Sequence, residues 1–148
     1  MKIKVAWIGK TKEPAIQSLT DEYLKRLGRY AEAEGVSLKD EAALLNASGR
    51  DRRPQSRHSL VVLDGRGKQL SSEEFAKFLE DCQDRSPMPL MFGIGPADGF
   101  TDEARKTASL VLSLGRMTLP HELARIVLLE QLYRAFTILK HHPYHMGH

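Results

Sequence analysis

The chain has 148 residues, 41% hydrophobic and 28% charged, with a formal net charge of +3. This is the composition of a globular protein, and the length suits one domain over residues 1–148. No stretch approaches the roughly 18 apolar residues of a membrane span, the Met1–Val5 start has no signal-peptide pattern, and the lone Cys82 excludes an internal disulfide and suits a cytoplasmic protein.

Charge is uneven along the chain. Lys2, Lys4, Lys10, Lys12, Lys25, Arg26 and Arg29 fall in the first thirty residues, and Arg50, Arg52, Arg53 and Arg57 form a second cluster. Such clusters suit a phosphate-rich partner or two solvated faces, and charge alone does not decide between them.

Ile3, Val5 and Trp7 alternate with Lys2, Lys4 and Ala6, a strand pattern that ends at Gly9. After Pro14, the positions Ile16, Leu19, Tyr23, Leu24 and Leu27 recur at helical spacing, which predicts an amphipathic helix to about Tyr30. A short strand is expected at Val36–Lys39 and a short helix at Glu41–Leu45. A Gly-, Arg-, Pro- and Ser-rich loop, expected to be mobile, then runs to His58.

Ser59–Leu63 reads as a short buried strand closed by an Asp64-Gly65 turn. Ser71 and Glu74 have capping-box spacing, and Leu70 and Phe75 are placed as a hydrophobic staple. Phe75, Phe78, Leu79 and Cys82 form the buried stripe of the helix that follows, and Pro87 and Pro89 bar its continuation. Cys82 is therefore read as core filler.

Leu90–Ile94 is another buried strand, running into the loop Gly95–Gly99, and Thr101 can cap a helix beginning at Asp102. An apolar stretch, Leu110–Leu114, precedes Gly115–Pro120 and a long helix from about His121 to Lys140. Ala124, Val127, Leu128, Gln131, Ala135 and Ile138 line one face of this helix, and Leu132 and Leu139 widen it. A helix apolar on two sides suggests a second surface to bury, such as a partner subunit. Strands alternating with helices give an α/β fold with a mostly parallel sheet and flanking helices.

In open α/β sheets, ligands bind at loops beyond the carboxyl ends of strands. Three such loops stand out: after Leu63, at Gly95–Gly99 and at Leu114–Pro120. Their glycines let backbone approach a ligand. The dinucleotide fingerprint is absent, because Gly93, Gly95 and Gly99 have the wrong spacing, and so is the phosphate-loop lysine. The tail His141–His148 carries four of the six histidines and Tyr144. It holds no carboxylate or cysteine, so no metal site is assigned. Histidine titrates near neutrality and tyrosine can stack on a base, which makes the cluster a candidate nucleobase contact.

Several segments together resemble the RlmH family, SPOUT-class methyltransferases that modify a pseudouridine at N3 in large-subunit (23S) ribosomal RNA. They are Lys2–Lys12 (KIKVAWIGKTK), Asp21–Tyr30 (DEYLKRLGRY), Leu63 at a strand end, Ile94–Gly99 (IGPADG), Met117–Phe136 (MTLPHELARIVLLEQLYRAF) and His142–His145 (HPYH). The resemblance covers nearly the whole chain except residues 40–58, where the chain looks shorter than the family. It implies a C-terminal trefoil knot, a rare exception to unknotted connectivity. It also implies S-adenosyl-L-methionine held by Leu63, Gly95, Leu114, Gly115, Arg116, Met117, Thr118 and Leu119. A homodimer is implied too, acting on ribosomal RNA or the assembled ribosome, with the second subunit completing the RNA site.

Methyl transfer from a sulfonium depends mainly on alignment, and a protonated ring nitrogen invites a general base. The candidates are His145 and His121, with Tyr144 positioning the nucleobase. Arg125 and Arg134 are candidates for RNA phosphate or intersubunit contacts. The chain departs from the family pattern at Pro96, where the family usually has a second glycine, and at Met146, where it has Arg or Lys. Those departures motivate an alternative, a non-catalytic RNA- or ribosome-binding module on the same scaffold. A third reading, a doubly wound nucleotide-binding enzyme, places a ligand at a helix N-terminus in an unknotted chain.

Overall fold

The computed structural model describes residues 1–49, 57–85, 88–96 and 98–145, with the side chain of His145 left out. The strands are β1 (Lys2–Ile8), β2 (Glu32–Leu38), β3 (Ser59–Gln69), β4 (Leu90–Ile94) and β5 (Leu110–Ser113). The helices are α1 (Pro14–Leu27), α2 (Glu41–Ala47), α3 (Ser72–Arg85), α4 (Asp102–Thr107) and α5 (His121–Leu139), followed by a 3₁₀ turn at Pro143–His145. All four strand pairings are parallel, in the order β2-β1-β4-β3-β5. The parallel α/β class expected from the alternation is what the chain adopts.

Parallel sheets are covered on both faces, so their strands are apolar on both sides. Ile3, Val5, Trp7, Val61, Leu63, Phe92 and Ile94 pack beneath α1, α3 and α5. Ala6, Leu60, Val62 and Met91 face the other way, against Leu44 and Leu45 of α2 and Ala104 of α4. The alternation along each strand sorts these two sets.

The local signals read at helix starts have the expected geometry. Glu74 N donates to Ser71 Oγ at 3.0 Å and Ser71 N to Glu74 Oε1 at 2.8 Å, the reciprocal capping box of α3. Asp40 caps α2 through Ala43 N at 2.8 Å, and Thr101 caps α4 through Ala104 N at 3.4 Å. β4 has the expected bounds. α1 stops at Leu27, and hydrogen-bonded turns carry the chain on to Tyr30 and Ala31.

Three expectations need correction. Asp64-Gly65 does not end β3, which runs on to Gln69. Both Leu63 and Lys68 pair with Leu112, so residues 64–67 bulge out of the ladder with β5. Gly67 permits this because a Cβ there would lie 2.5 Å from the Val111 carbonyl oxygen. β2 begins at Glu32, four residues before the expected start, because its charged outer residues hide a ladder that pairs along all of β1. The third concerns α5. Its second apolar face is covered within the chain, since Leu128, Leu129, Leu132, Tyr133 and Phe136 are buried in the core shared with α1 and α3.

Most of the loop expected to be mobile, including Arg50, Arg52 and Arg53, lies outside the described residues, as do Pro87 and Met146. Among the described residues, no helix is long and apolar enough to cross a membrane.

Candidate functional site

Because every strand runs the same way, the bulged part of β3 and the loops after β4 and β5 gather at one end of the sheet. There they enclose a cleft of about 360 Å³, within the range of roughly 300–1,000 Å³ for small-molecule sites. Leu63, just before the β3 bulge, and Ile94 and Leu112, at the ends of β4 and β5, form its apolar floor. Gly95 and Pro96 form one wall, and the run Ser113–Leu119 forms the opposite one. His121 and Ala124, from the first turn of α5, close the end. A second cavity of about 300 Å³ adjoins it, shares the wall Leu112–Gly115 and is bounded by Phe75 and Gln131.

The wall after β5 presents bare backbone at Gly115. Gly115 has φ +144, a conformation that favours glycine, and a Cβ there would meet nothing within 4 Å. Ser113 Oγ donates to the Gly115 carbonyl at 2.9 Å and holds the turn. An open backbone edge above an apolar floor suits a ligand with a flat apolar ring and several polar groups.

A buried ion cluster fixes the facing loop. Asp64, its side chain 3% exposed, accepts from Arg66 N and Nε at 2.9 Å each, from Arg66 Nη2 at 3.0 Å and from Phe100 N at 3.1 Å. Arg105 Nη1 lies 3.7 Å from the same carboxylate and also donates to the Phe100 carbonyl. Hydrogen bonding from Arg66 above all, with help from the Phe100 amide, holds the Asp64 carboxyl down at about 2 despite its burial. The cluster ties Phe100, at the end of the β4–α4 loop, to β3. Glu41 of α2 pins the same loop by accepting from Thr101 N at 2.9 Å.

All eight residues expected to hold the cofactor (Leu63, Gly95 and Leu114 to Leu119) line this one cleft, and His121 stands among them. Tyr144 and Arg134 stand elsewhere. Glu130 accepts from Arg134 Nε at 2.8 Å and from Tyr144 Oη at 3.4 Å, and the Tyr144 ring meets Tyr133 edge-on at 4.8 Å. Burial first, then the Glu130 charge, push the Tyr144 phenol up to about 12, so it is a donor and not a base at neutral pH. Glu130 lies nine residues beyond His121, about 13 Å along the helix axis at 1.5 Å per residue. His145 has its backbone in the 3₁₀ turn, and its side chain lies outside the described residues.

Arg125 is not where an RNA contact requires it. It is 1% exposed, stacked 3.8 Å over the Trp7 ring, with Nη1 donating to Thr11 Oγ1 at 2.9 Å and Thr20 Oγ1 at 3.2 Å. Helical spacing places residue 125 one turn from His121, and that same turn faces Trp7 and not solvent. Sequence reasoning passed over Asp64, read there as a turn residue, and its partners Arg66 and Arg105. The available signal was Asp64-x-Arg66, a spacing that puts carboxylate and guanidinium on one side of an extended chain. It also passed over Glu122, whose carboxylate accepts from Lys12 N at 2.8 Å and Glu13 N at 3.4 Å. Those backbone bonds, Lys12 first, hold its carboxyl below the usual range.

Comparison with known proteins agrees with this architecture. The family described as predicted SPOUT methyltransferase matches residues 1–145. A ribosomal RNA large subunit methyltransferase H from Koribacter versatilis is 57% identical over 148 residues, all of both chains. Its namesake from Geobacter sulfurreducens is 43% identical over 152 aligned positions, 98% of this chain and 99% of that protein. The Geotalea daltonii protein of that name is 42% identical with the same coverage.

Proposed function

The chain belongs to the SPOUT methyltransferase family, and from that membership we propose that it methylates large-subunit ribosomal RNA, at N3 of a pseudouridine, with S-adenosyl-L-methionine as donor. The single observation that carries this reading is the convergence of Leu63, Gly95, the Leu114–Leu119 run and His121 on one cleft. Those residues are drawn from three separate segments of the chain. The cleft suits the proposed donor in kind, with apolar side chains for a purine ring and bare backbone at Gly115 for amide contacts.

When bound, the donor supplies an electrophilic methyl group. The protein then has two tasks. One is to fix the nucleophile in line and exclude water, which the walls at Gly95 and Leu114–Leu119 are placed to do. The other is to accept the proton that N3 must lose. His121 is the imidazole at the cleft and is the proton acceptor we favour, with His145 as the alternative. Tyr144, held neutral, is suited to donate a hydrogen bond or stack on the base.

His121 opens α5 and Tyr144 lies in the 3₁₀ turn beyond its far end, so a second copy supplying the tail would complete the site, and we read the active species as a homodimer in the cytoplasm. Met117 (82% exposed), Leu123 (48%) and Leu119 (38%) offer apolar surface at the start of α5. The trefoil knot belongs to this proposal as well. Calorimetry with S-adenosylhomocysteine tests it. Micromolar binding that Gly115→Val weakens at least tenfold is expected, since the new side chain would enter the cleft. Absence of binding would favour the non-catalytic RNA-binding module.

A further inference from the structure

We infer that the β1–α1 loop, Gly9–Glu13, is a preformed phosphate-binding arm for the RNA substrate, with Lys10 and Lys12 making the contacts; the inference rests on the RNA-methylating function proposed above. The loop lies at the cleft edge of the sheet. β1 pairs with β4 up to Trp7 and Ile94, and Ile94 is part of the cleft floor. On its other side, Lys12 N and Glu13 N donate to Glu122, the neighbour of cleft-lining His121.

The loop is tightly held for an exposed one. Gly9 N donates to the Leu38 carbonyl at 2.9 Å, and Ser37 Oγ donates to the Gly9 carbonyl at 2.6 Å. Arg125 Nη1 holds Thr11 Oγ1 at 2.9 Å. That bond gives a reason for an otherwise costly feature. Arg125 is buried with hydroxyl acceptors for Nη1, but among the described residues it has no carboxylate within ion-pair distance and no hydrogen-bond partner for its Nε. A hydrophobic side chain of that volume would fill the same space, but it would leave Thr11 unheld.

The clamp grips only backbone and Thr11. Lys10 and Lys12 remain exposed, and neither has an ion-pair partner among the described residues. In contrast, Lys2 and Lys4, nearer the other end of β1, lie 3.9 Å from Glu32 and 3.2 Å from Glu34. Arg116, on the cleft wall, is a third cation at this edge with no such partner. A rigid loop presenting two free ammonium groups beside a cleft is what a polyanion requires, because the cations need not be ordered on binding.

The test is binding and methylation of large ribosomal subunits that lack the modification, measured across a salt series. With K10Q/K12Q, the apparent Kd and KM for subunits should rise roughly tenfold or more near 0.1 M salt. The slope of log affinity against log salt should flatten by about 1.4–1.8, or 0.7–0.9 per lost phosphate contact. S-adenosylhomocysteine affinity should stay unchanged, K10R/K12R should restore the slope, and K2Q/K4Q should leave it alone. E122A, which frees the loop, should raise KM for subunits and spare cofactor affinity. Equal slope and KM for K10Q/K12Q and for a wild type that methylates would overturn the arm alone. A wild type that binds no ribosomal subunits would overturn it together with the function beneath it.

Discussion

At the scale of residues, the ion cluster around Asp64 makes the sharpest pH prediction. Its folded carboxyl sits at about 2 against an ordinary 3.8. A depressed carboxyl contributes stability that is fully present above the ordinary value and lost as pH falls through the folded one. The loss should therefore fall between about pH 4 and pH 2, and a shift of this size corresponds to about 2 kcal/mol. Asp64→Asn should lower stability near neutrality by a similar amount, seen in urea melts, and should flatten that acid limb. It should also weaken cofactor affinity, because Phe100 N and Arg105 lose their shared anchor at the cleft loop. His121→Ala has a different signature. Methyl transfer should fall by roughly 10²–10⁴-fold while S-adenosylhomocysteine binding changes little, as removal of a proton acceptor requires. His121 and the Leu114–Leu119 run were legible in the chain through resemblance. Asp64 was not, because Asp-Gly after an apolar run has the form of a turn, and only the β5 ladder reveals a bulge. Arg125 was misread for a related reason: helical spacing gives its face, but not what packs there.

At the scale of elements, what was legible is what local chemistry dictates. The Ser71–Glu74 capping box needs only four consecutive residues, and Ser71→Ala should cost about 1 kcal/mol with kcat unchanged, measured by urea melts beside a methylation assay. β4, a short apolar run between turn signals, had its bounds in the chain for the same reason. β2 was less legible because Glu32 and Glu34 break its pattern, and their partners Lys2 and Lys4 lie thirty residues earlier. α5 carries the most instructive difference. Its apolar second face suggested a partner, and α1 and α3 supply the cover. The argument for a dimer passes to Met117, Leu119 and Leu123, just before and within the first turn of that helix. Leu123→Glu should convert a dimer to a monomer in sedimentation velocity without lowering the melting temperature of the monomer by more than a few degrees.

At the scale of the whole molecule, alternation of strand and helix gave the parallel α/β class, but it carries no information on strand order. The order β2-β1-β4-β3-β5 brings the β3 bulge and the loops after β4 and β5 to one end of the sheet, and the cleft exists only because of that non-local pairing. The same order sets the Lys10–Lys12 loop beside the cleft and leaves Lys2 and Lys4 toward the opposite edge. Function thus follows from where parallel strands end. The most direct test is to incubate the protein with radiolabelled S-adenosyl-L-methionine and ribosomes from a strain lacking this modification, then map the label. One methyl group on a pseudouridine N3 of large-subunit RNA is the expected result. Absence of label, under conditions where another member of the family transfers it to the same ribosomes, would contradict the account.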